Sequence, residues 1–376
     1  MRRPLLLLPR PLDEFINREQ ARELLTAGEG AVALPGRIPY GALTRAPAAV
    51  RGGVASSIAW GLARQIPSAW RPSETVVVAY HAIQWPAIAA LMARGVAEEL
   101  WYFRWDQYEE AHDVGRMRTL LHDWNARIAE VSALTFCVSD KLVDLEHEAG
   151  RQAIFVGLAA DAFPDGPLAP TPRGAELIAA ARDSHAGGPA GSRPDADSSA
   201  SVVGDGPVAV SLGHLGRRTD WAWLRGAVER VPELTLLLIG RWYEDEVGHD
   251  PDYRWLREAP QAVWLGGLDD ADAAEVIAQA DVGLVPFTVD PFNEAGLPTR
   301  ILKYARLGRR TISPPLAGTR TWAHTTTFVD SPEAFAAALR EAAGARHHPD
   351  APLRAWALEQ TAAKMNAPLH ARLRAD

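Results

Sequence analysis

The feature that most constrains the fold is an alternation of short apolar runs with helix-like stretches along the 376-residue chain. Thr75–Tyr80 reads Thr-Val-Val-Val-Ala-Tyr, a continuous β-branched run typical of a strand buried on both faces. Similar runs in the first half lie at Pro4–Pro9, Ala31–Leu34, Glu99–Arg104, Leu134–Val138 and Ala153–Gly157. Repeated strand–helix–strand units predict a parallel sheet covered by helices.

The alternation restarts after a break in the middle of the chain. The second set of predicted strands is Val208–Leu212, Thr235–Ile239, Ala262–Leu265, Val282–Pro286, Thr311–Ser313 and Phe328–Val329. Between the halves, Asp183–Gly206 is rich in Gly, Ser, Pro and Asp and cannot bury enough apolar surface to order itself. We therefore predict a first domain over 1–165, a flexible linker or insertion over 166–206 and a second domain over 207–350. Residues 351–376 are predicted to form a terminal helix that returns to the first domain, because Leu353–Leu373 is amphipathic.

Composition excludes several classes of protein. The formal net charge is −8, which argues against general binding of nucleic acid. Cys137 is the only cysteine, so no intrachain disulfide forms, which fits a reducing compartment. No segment reaches the roughly 18–20 apolar residues that span a bilayer. The sequence predicts a cytoplasmic protein and leaves a peripheral association with a membrane open.

Several common functional motifs are absent from the sequence. No Gly-x-Gly-x-x-Gly follows a strand, which argues against a nicotinamide dehydrogenase. Gly-Lys-Ser/Thr and Gly-x-Ser-x-Gly are also missing. No Cys/His spacing suggests zinc, and we expect no bound metal or cofactor.

Four ordered stretches of the second half carry a family resemblance. They are VAVSLGHLGRRTDW (Val208–Trp221), LTLLLIGRW (Leu234–Trp242), AVWLGGL (Ala262–Leu268) and the long segment Ala280–Leu316. Together they resemble the donor domain of retaining GT-B glycosyltransferases, a bacterial group 1 or family 4-like pattern. In the first half, Glu99–Tyr108 is similar to the acceptor side of that family.

The resemblance implies an α/β fold of two Rossmann-like domains that face each other across a cleft. It also implies transfer of a sugar from a nucleoside diphosphate sugar to a hydroxyl-bearing acceptor, with retention and without a metal. The donor and a small-molecule or glycan acceptor would then be the partners. In the third stretch, Trp264 lies on the strand whose end faces the nucleotide base in relatives.

The turn Gly213-His214-Leu215-Gly216-Arg217-Arg218 follows the first strand of the second half. Its glycines would let the backbone approach a diphosphate. Its two guanidiniums would neutralise the charge that develops when the glycosidic bond breaks. A solvated surface turn is the alternative. Gly213, His214, Arg217 and Arg218 are therefore candidate donor-binding residues.

A second candidate loop comprises Asn293, Glu294, Gly296, Pro298 and Arg300, before a predicted helix at Pro298–Leu307. Pro298 suits the first turn, and the free N–H groups of the loop would point at an anion. An ordinary capped loop is the alternative. We predict that Arg217, Arg218 and Arg300 converge with this loop on one anion site.

The chain departs from the family pattern at two positions. Many relatives carry two glutamates seven residues apart, one meeting the sugar and the other the ribose hydroxyls. The equivalent positions here are Gly296 and Lys303. A lysine cannot accept hydrogen bonds from a ribose diol. Either Glu294 or another acceptor compensates, or the donor is unusual, or catalysis is lost.

Two residues of the first half are candidate catalytic residues. Asp106 follows a strand within an aromatic cluster, at a position that by resemblance faces the sugar or the acceptor. A partly buried carboxylate there would orient an acceptor hydroxyl, whereas the alternative is a helix N-cap. His81 follows the strand Val76–Tyr80 at its carboxyl end, although a lone histidine is more often structural.

The sequence thus predicts a glycosyltransferase. Two alternatives remain open at this point. One is a non-catalytic GT-B scaffold that stabilises another enzyme, and the other is a nucleotide-sugar epimerase.

Overall fold

The computed structural model describes residues 2–112, 114–186 and 206–375. The chain divides into two compact units, each with its own parallel sheet. Unit 1 comprises Met1–Ala159, Asp290–Leu297 and Thr361–Asp376, and unit 2 comprises Ala160–Val289 and Pro298–Gln360.

The regular elements follow one another in a strand–helix order. The strands are β1 (Arg3–Leu7), β2 (Ala31–Ala33), β3 (Thr75–Ala79), β4 (Glu99–Arg104), β5 (Leu134–Cys137), β6 (Ala153–Phe155), β7 (Val208–Leu212), β8 (Thr235–Ile239), β9 (Ala262–Gly266), β10 (Val282–Leu284), β11 (Thr311–Ser313) and β12 (Thr326–Phe328). The helices are α1 (Arg18–Ala27), α2 (Gly41–Arg45), α3 (Ala48–Ala63), α4 (Trp85–Met92), α5 (Arg118–Val131), α6 (Asp140–Glu148), α7 (Pro172–Ala186), α8 (Trp221–Arg230), α9 (Glu244–Val247), α10 (Pro251–Glu258), α11 (Asp270–Ala278), α12 (Pro291–Ala295), α13 (Arg300–Arg306), α14 (Pro332–Ala342), α15 (Ala351–Leu358) and α16 (Ala362–Arg374). Short 3-10 helices lie at Leu12–Glu14, Pro72–Glu74, Ala82–Gln84, Tyr108–Glu110, Gly115–Met117, Gly318–Thr325 and Ala345–His347.

The sheet of unit 1 has the order β2-β1-β3-β4-β5-β6, and all of its neighbouring strands are parallel. Leu5 of β1 pairs with Ala31 of β2 on one side and with Val77 of β3 on the other. The continuous apolar run of β3 is buried along its whole length, as its composition predicts. The strand order reverses between β1 and β3, which makes their carboxyl ends the topological switch point of this sheet.

The sheet of unit 2 has the order β12-β11-β10-β7-β8-β9 and is also entirely parallel. Numbered from its own first strand, this is the Rossmann order, with the switch point between β7 and β10. Each unit has a separate hydrophobic core between its sheet and its helices. The strands predicted from the apolar runs are therefore confirmed in both halves.

The region 166–206, predicted as a flexible linker, contains the helix α7. The start of α7 packs so closely on α11 that a Cβ on Gly174 would lie 2.4 Å from the carbonyl oxygen of Glu275. Ile178 of α7 is fully buried. The helix forms because its stretch is rich in alanine and carries apolar side chains, unlike the Gly- and Ser-rich residues that follow. Residues 187–205 of the predicted linker lie outside the described residues.

The tail predicted as one helix over Leu353–Leu373 consists of two, α15 and α16. The break occurs because the Thr361 side chain accepts the N–H of Lys364 and begins a new helix. In unit 1, α16 packs on α1, where Asn366 Nδ2 donates to the Gln20 carbonyl oxygen at 2.8 Å. The chain ends also meet, because the Arg2 N–H donates to the Leu373 carbonyl oxygen at 3.0 Å.

Candidate functional site

A buried tyrosine joins β7 and β10 at the switch point of unit 2. The Tyr304 hydroxyl accepts the N–H of Leu212 at 2.8 Å and donates to the Leu284 carbonyl oxygen at 3.2 Å. Its ring lies so close to β10 that a Cβ on Gly283 would be 2.0 Å from it. These contacts fix α13 over the switch point. Arg300, about one helical turn before Tyr304, is thereby held at the carboxyl ends of the strands.

The Arg300 guanidinium lies among small groups and one aromatic ring. It is 4.7 Å from the centre of the Phe287 ring, and Nη1 donates to Ser211 Oγ at 3.4 Å. Gly213 adopts a φ of +124°, and a Cβ there would lie 2.6 Å from Arg300 Nη2. Glycine is thus required at 213 both by the backbone conformation and by the approach of the guanidinium.

Arg218 lies against the same aromatic ring, 4.6 Å from its centre. Two guanidiniums therefore share Phe287. Burial lowers the pKa of Arg300 to about 10, and the charge of Arg218 contributes in the same direction. Arg300 stays protonated at neutral pH, yet no described carboxylate forms an ion pair with it. An anionic ligand would supply the missing counter-charge.

Arg217 and His214 lie in a different arrangement, around Glu246. The Arg217 backbone N–H donates to Glu246 Oε2 at 3.1 Å, and His214 Nε2 is 3.3 Å from the same oxygen. The His214 ring stacks on Tyr243 at 4.1 Å. Burial lowers the pKa of His214, assisted by Arg218 and Arg300 and opposed by Glu246. The structure brings Arg218 and Arg300 together on Phe287, whereas among the residues that it describes Arg217 makes no such ring contact.

Lys303, the residue that departs from the family pattern, is paired with a carboxylate. Its Nζ lies 2.7 Å from Asp270 Oδ1 and 4.7 Å from the centre of the Phe163 ring. Asp270 is the first residue of α11, directly after the loop that follows β9. The Asp270 carboxylate therefore lies beside Lys303, the position at which the family pattern has a glutamate.

The assignment of Trp264 to the donor site is corrected by the structure. Only 2% of its surface is exposed, and its ring packs against Trp221, Trp242 and Tyr253 in the core of unit 2. Because side chains alternate between the two faces of β9, this one points toward α8 and α10, and the sequence alone did not reveal which face it occupies.

The loop before Arg300 also differs from the expectation. Residues 290–297 belong to unit 1, where the Ala295 carbonyl oxygen accepts from Ser139 Oγ at 2.6 Å. Asn293 is fully buried and its Nδ2 donates to Asp290 Oδ2 at 2.7 Å, so its amide has a structural partner. The Glu294 N–H donates to the Asp290 carbonyl oxygen, and Gly296 ends α12 with a φ of −74° that any residue adopts.

The start of α13 also corrects the predicted position of Pro298. The helix begins at Arg300, with Thr299 as the residue before it, so Pro298 is not in the first helical turn. The carbonyl oxygen of Pro298 instead accepts the N–H of Ile301. The seven-residue helix therefore begins with the arginine itself.

His81 lies at the switch point of unit 1, where β3 ends. Its Nδ1 accepts the N–H of Ile83 at 2.9 Å, and its ring stacks on Tyr108 at 3.9 Å. Burial lowers its pKa to about 4, so the ring is neutral at pH 7. Because Nδ1 is an acceptor, the proton resides on Nε2. His81 can donate a hydrogen bond from Nε2 but is not arranged as a general base through Nδ1.

Asp106 follows β4 by two residues and is 8% exposed. The alternative was a helix N-cap, but the residues that precede the next three helical segments are Gln107, Val114 and Met117. Its neighbour Trp105 donates from Nε1 to the Tyr80 carbonyl oxygen at 2.7 Å, which ties this loop to the end of β3.

Four residues of these arrangements were missed in the sequence: Phe287, Tyr304, Glu246 and Asp270. Phe287 had a usable signal, because it follows β10 at the carboxyl end where ligands bind. Glu246 had none, since it is 32 residues from His214.

Metal-binding clusters and membrane-spanning helices are both absent from the described part of the chain. In residues 2–112, 114–186 and 206–375, no group of three or more His, Cys, Asp or Glu side chains is arranged to hold a metal ion. Within the same ranges, no helix combines the length and the apolar character that crossing a membrane requires.

Solved proteins share this architecture. A UDP-forming α,α-trehalose-phosphate synthase from Burkholderia vietnamiensis matches with a TM-score of 0.65 and 12% identity over 100% of both chains. HepE from Anabaena, solved in complex with UDP and glucose, matches with a TM-score of 0.62 and 13% identity over 99% of both chains. A trehalose-6-phosphate structure from E. coli bound with UDP-2-fluoro glucose gives a TM-score of 0.66 at 11% identity, over 99% of this chain and 98% of that one. The chain has the GT-B fold. The predicted fold class and the resemblance to GT-B glycosyltransferases are confirmed at this level.

Sequence similarity to a curated relative is confined to a shorter region. A stretch of 115 residues is 23% identical to the putative teichuronic acid biosynthesis glycosyltransferase TuaH of Bacillus subtilis (strain 168). This stretch covers 31% of the chain and 28% of TuaH, so the match spans less than a third of either protein. No family model matches the sequence.

Proposed function

We propose that this GT-B protein is a glycosyltransferase that moves a sugar from a nucleoside diphosphate donor to a hydroxyl-bearing acceptor. The observation that carries the proposal is the pair of guanidiniums on Phe287 at the Rossmann switch point of unit 2. Arg300 is charged, buried enough to lower its pKa, and has no described carboxylate as a counter-ion. A diphosphate has the charge and the paired oxygen acceptors that planar guanidiniums bind with two hydrogen bonds.

In the proposed reaction, the bond between the anomeric carbon and the diphosphate oxygen breaks, and the acceptor oxygen forms the new bond. Negative charge develops on the leaving diphosphate, where Arg300 and Arg218 stabilise it. The acceptor proton passes to a phosphate oxygen of the leaving group. Retention of configuration and independence from metal are proposed on the family resemblance.

The known ligands of the structural relatives support a uridine donor. The solved structure of HepE contains UDP and glucose, and the E. coli structure contains UDP-2-fluoro glucose. TuaH is described as a glycosyltransferase of teichuronic acid biosynthesis, which supports a glycan acceptor. We therefore propose a UDP-sugar as donor and a glycan as acceptor.

The remaining roles follow from the contacts of each residue. Asp270 is proposed to accept hydrogen bonds from the ribose hydroxyls. Its carboxylate lies beside Lys303, which replaces the glutamate of relatives. His81 would donate from Nε2 to a hydroxyl of the sugar or the acceptor, since its Nδ1 already has a partner. Asp106 would orient the acceptor hydroxyl as a nearly buried carboxylate.

A thermal-shift screen with UDP, ADP, GDP and UDP-glucose tests donor binding. A ligand at a hundred times its Kd stabilises the folded state by about 2.7 kcal/mol, which raises Tm by roughly 5–10 °C for a domain of this size. We expect uridine ligands to shift Tm and inorganic phosphate alone to do little. Absence of any shift with every nucleotide at millimolar concentration would refute the donor site.

The scaffold alternative stays open because Lys303 stands where relatives have an acceptor for the ribose. Donor hydrolysis or transfer to added glycans separates the two functions, since a scaffold binds without turnover. Lys303→Glu alone would put two carboxylates side by side, so the matched variant is the swap Lys303→Glu with Asp270→Lys, which keeps the ion pair. Turnover by the natural chain would exclude a non-catalytic scaffold function. Turnover by the swapped variant alone would indicate that the natural chain has lost catalysis through the change at Lys303.

A further inference from the structure

Residues 31–73 differ in charge from the rest of the chain. They contain five arginines and no aspartate or glutamate, in a protein with 47 acidic and 39 basic residues. The segment forms β2, α2, α3 and their connections at one edge of the sheet of unit 1. The side chains of this segment therefore contribute positive charge and no negative charge to the surface they form.

An open groove lies on this segment, with a volume of about 610 Å³. Among the residues that line it are Arg37, Ile38, Ser56, Ser57, Trp60 and Arg94. Trp60 is 53% exposed and Ile38 is 37% exposed, and both line this groove, so exposed apolar side chains occur together here. Apolar side chains and arginines thus share one exposed surface, which we call the α3 face.

The arginines of the α3 face lack partners of opposite charge. The Arg64 guanidinium lies over the Trp60 ring, 4.5 Å from its centre, so a cation covers part of the exposed aromatic. Neither Arg37, Arg64 nor Arg94 forms an ion pair with any carboxylate in the described part of the chain. Their charge is available to an external anion.

The surface of α3 is also unobstructed. An added Cβ at Gly52, Gly53 or Gly61 would meet no atom within 4 Å. Together with Ser56 and Ser57, these small residues make a low surface from which Trp60 projects. A flat surface could approach along the length of the helix.

We propose that the α3 face docks this protein on an anionic lipid surface. Charge complementarity selects this occupant: a chain with a net charge of −8 is repelled by an anionic bilayer except through an acid-free, arginine-bearing face. The exposed indole suits the boundary between headgroups and acyl chains, and the arginines contact the phosphates. A soluble anion would bind the arginines but would make no apolar contact with the exposed Ile38 and Trp60. The proposal is independent of the donor site in unit 2.

Co-sedimentation of the full chain with vesicles tests the proposal. We expect binding to vesicles of phosphatidylglycerol and phosphatidylcholine, weakening as salt rises, and little binding to phosphatidylcholine alone. Arg37→Gln, Arg64→Gln and Arg94→Gln should each lower the partition coefficient roughly fivefold. Trp60→Ser should lower it while leaving the slope of its salt dependence unchanged, because the indole carries no charge.

The matched control is the double variant Arg127→Gln and Val131→Ser on α5, which removes an exposed arginine and a 55% exposed apolar side chain from another helix of unit 1. It should bind as the natural chain does. Should Trp60→Ser fail to fold, Ile38→Ser tests the same surface. The proposal would be overturned if the chain bound neutral vesicles as strongly as anionic ones. It would also be overturned if a variant carrying all three substitutions, Arg37→Gln, Arg64→Gln and Arg94→Gln, bound anionic vesicles as strongly as the natural chain. A dimer in size-exclusion chromatography that Trp60→Ser dissociates would also overturn it, since a second copy would then cover the face.

Discussion

Replacement of Arg300 by methionine should change donor affinity and stability in opposite directions. Methionine keeps an unbranched apolar stem of similar reach and removes the charge. The pKa of Arg300 falls from its usual value to about 10, mainly through burial. A fall of this size means that burial adds on the order of 3 kcal/mol to the free energy of the charged folded state. That free energy is recovered when the charge is removed.

The favourable interactions of the Arg300 guanidinium are weaker than that penalty. The cation–π interaction with Phe287 contributes about 0.5–2 kcal/mol. The 3.4 Å hydrogen bond to Ser211 lies at the limit of useful geometry and contributes little. The unfolding free energy of the ligand-free Arg300→Met protein should therefore rise by about 1–2 kcal/mol.

Donor binding should weaken in the same variant. A charge-assisted hydrogen bond contributes about 1.5–3 kcal/mol, so the Kd for UDP should increase roughly tenfold to a hundredfold. Isothermal titration gives the affinity, and urea unfolding of the ligand-free protein gives the stability. Unchanged UDP affinity would refute the placement of the diphosphate on this arginine.

Arg309→Met provides the matched control. Burial lowers the pKa of Arg309 to about 10 as well, but its Nη2 donates to the carbonyl oxygens of Leu168, Ala278 and Arg346. Its removal recovers a similar burial penalty but leaves three carbonyl oxygens without their donor, at about 1–3 kcal/mol each, so the fold should lose stability while the Kd of the folded fraction stays unchanged. If Arg300→Met behaved like this control, Arg300 would be a structural residue.

Two further predictions concern unit 1. Burial lowers the pKa of His81 to about 4. Between pH 4 and the ordinary pKa of histidine, the unfolded chain therefore binds a proton that the folded chain does not bind. The unfolding free energy should decrease as the pH is lowered through that range, by about 1.4 kcal/mol per pH unit at most. His81→Asn keeps an acceptor for the Ile83 N–H and should flatten this part of the urea-unfolding pH profile, and an unchanged slope would contradict the assignment. Deletion of Thr361–Asp376 should destabilise unit 1 by removing Leu369, Leu373 and the bond from Asn366 to Gln20, as hydrogen exchange of β1 and β3 would report. Protection of these strands at the level of the full chain would show that α16 is dispensable.

The sheets were predictable because the sequences of buried parallel strands are continuous apolar runs. β3 and β8 are examples in which all five residues are buried. The helix α3 was not predicted, since its sequence mixes glycine, serine and apolar residues without a clear helical period. Its stability comes from packing on α4 in unit 1, a long-range property.

The candidate site was predictable only in part. Gly213, Arg218 and Arg300 were found because glycine and arginine after a strand have specific uses in anion recognition. The contact of both arginines with Phe287, and the hydrogen bond of Tyr304 to β10, depend on the approach of α13 to β10. Trp264 was misplaced because a short strand carries no sign of which face its tryptophan occupies. Pairing of Lys303 with Asp270 joins residues 33 positions apart, which no local pattern encodes.

Arg2 lies within hydrogen-bonding distance of the end of α16 in unit 1. Besides the backbone bond to Leu373, the Arg2 guanidinium donates to the carbonyl oxygens of Arg372 and Ala375 at 2.6 and 2.9 Å. A linker of a few residues would therefore join Ala375 to Arg2, and a chain so joined could be opened elsewhere as a circular permutant. Opening it between Ala186 and Gly206 would make the sheet of unit 2 leave the ribosome before the sheet of unit 1, with α7 synthesised last. The order of synthesis of the two sheets could then be reversed without altering the packing inside either.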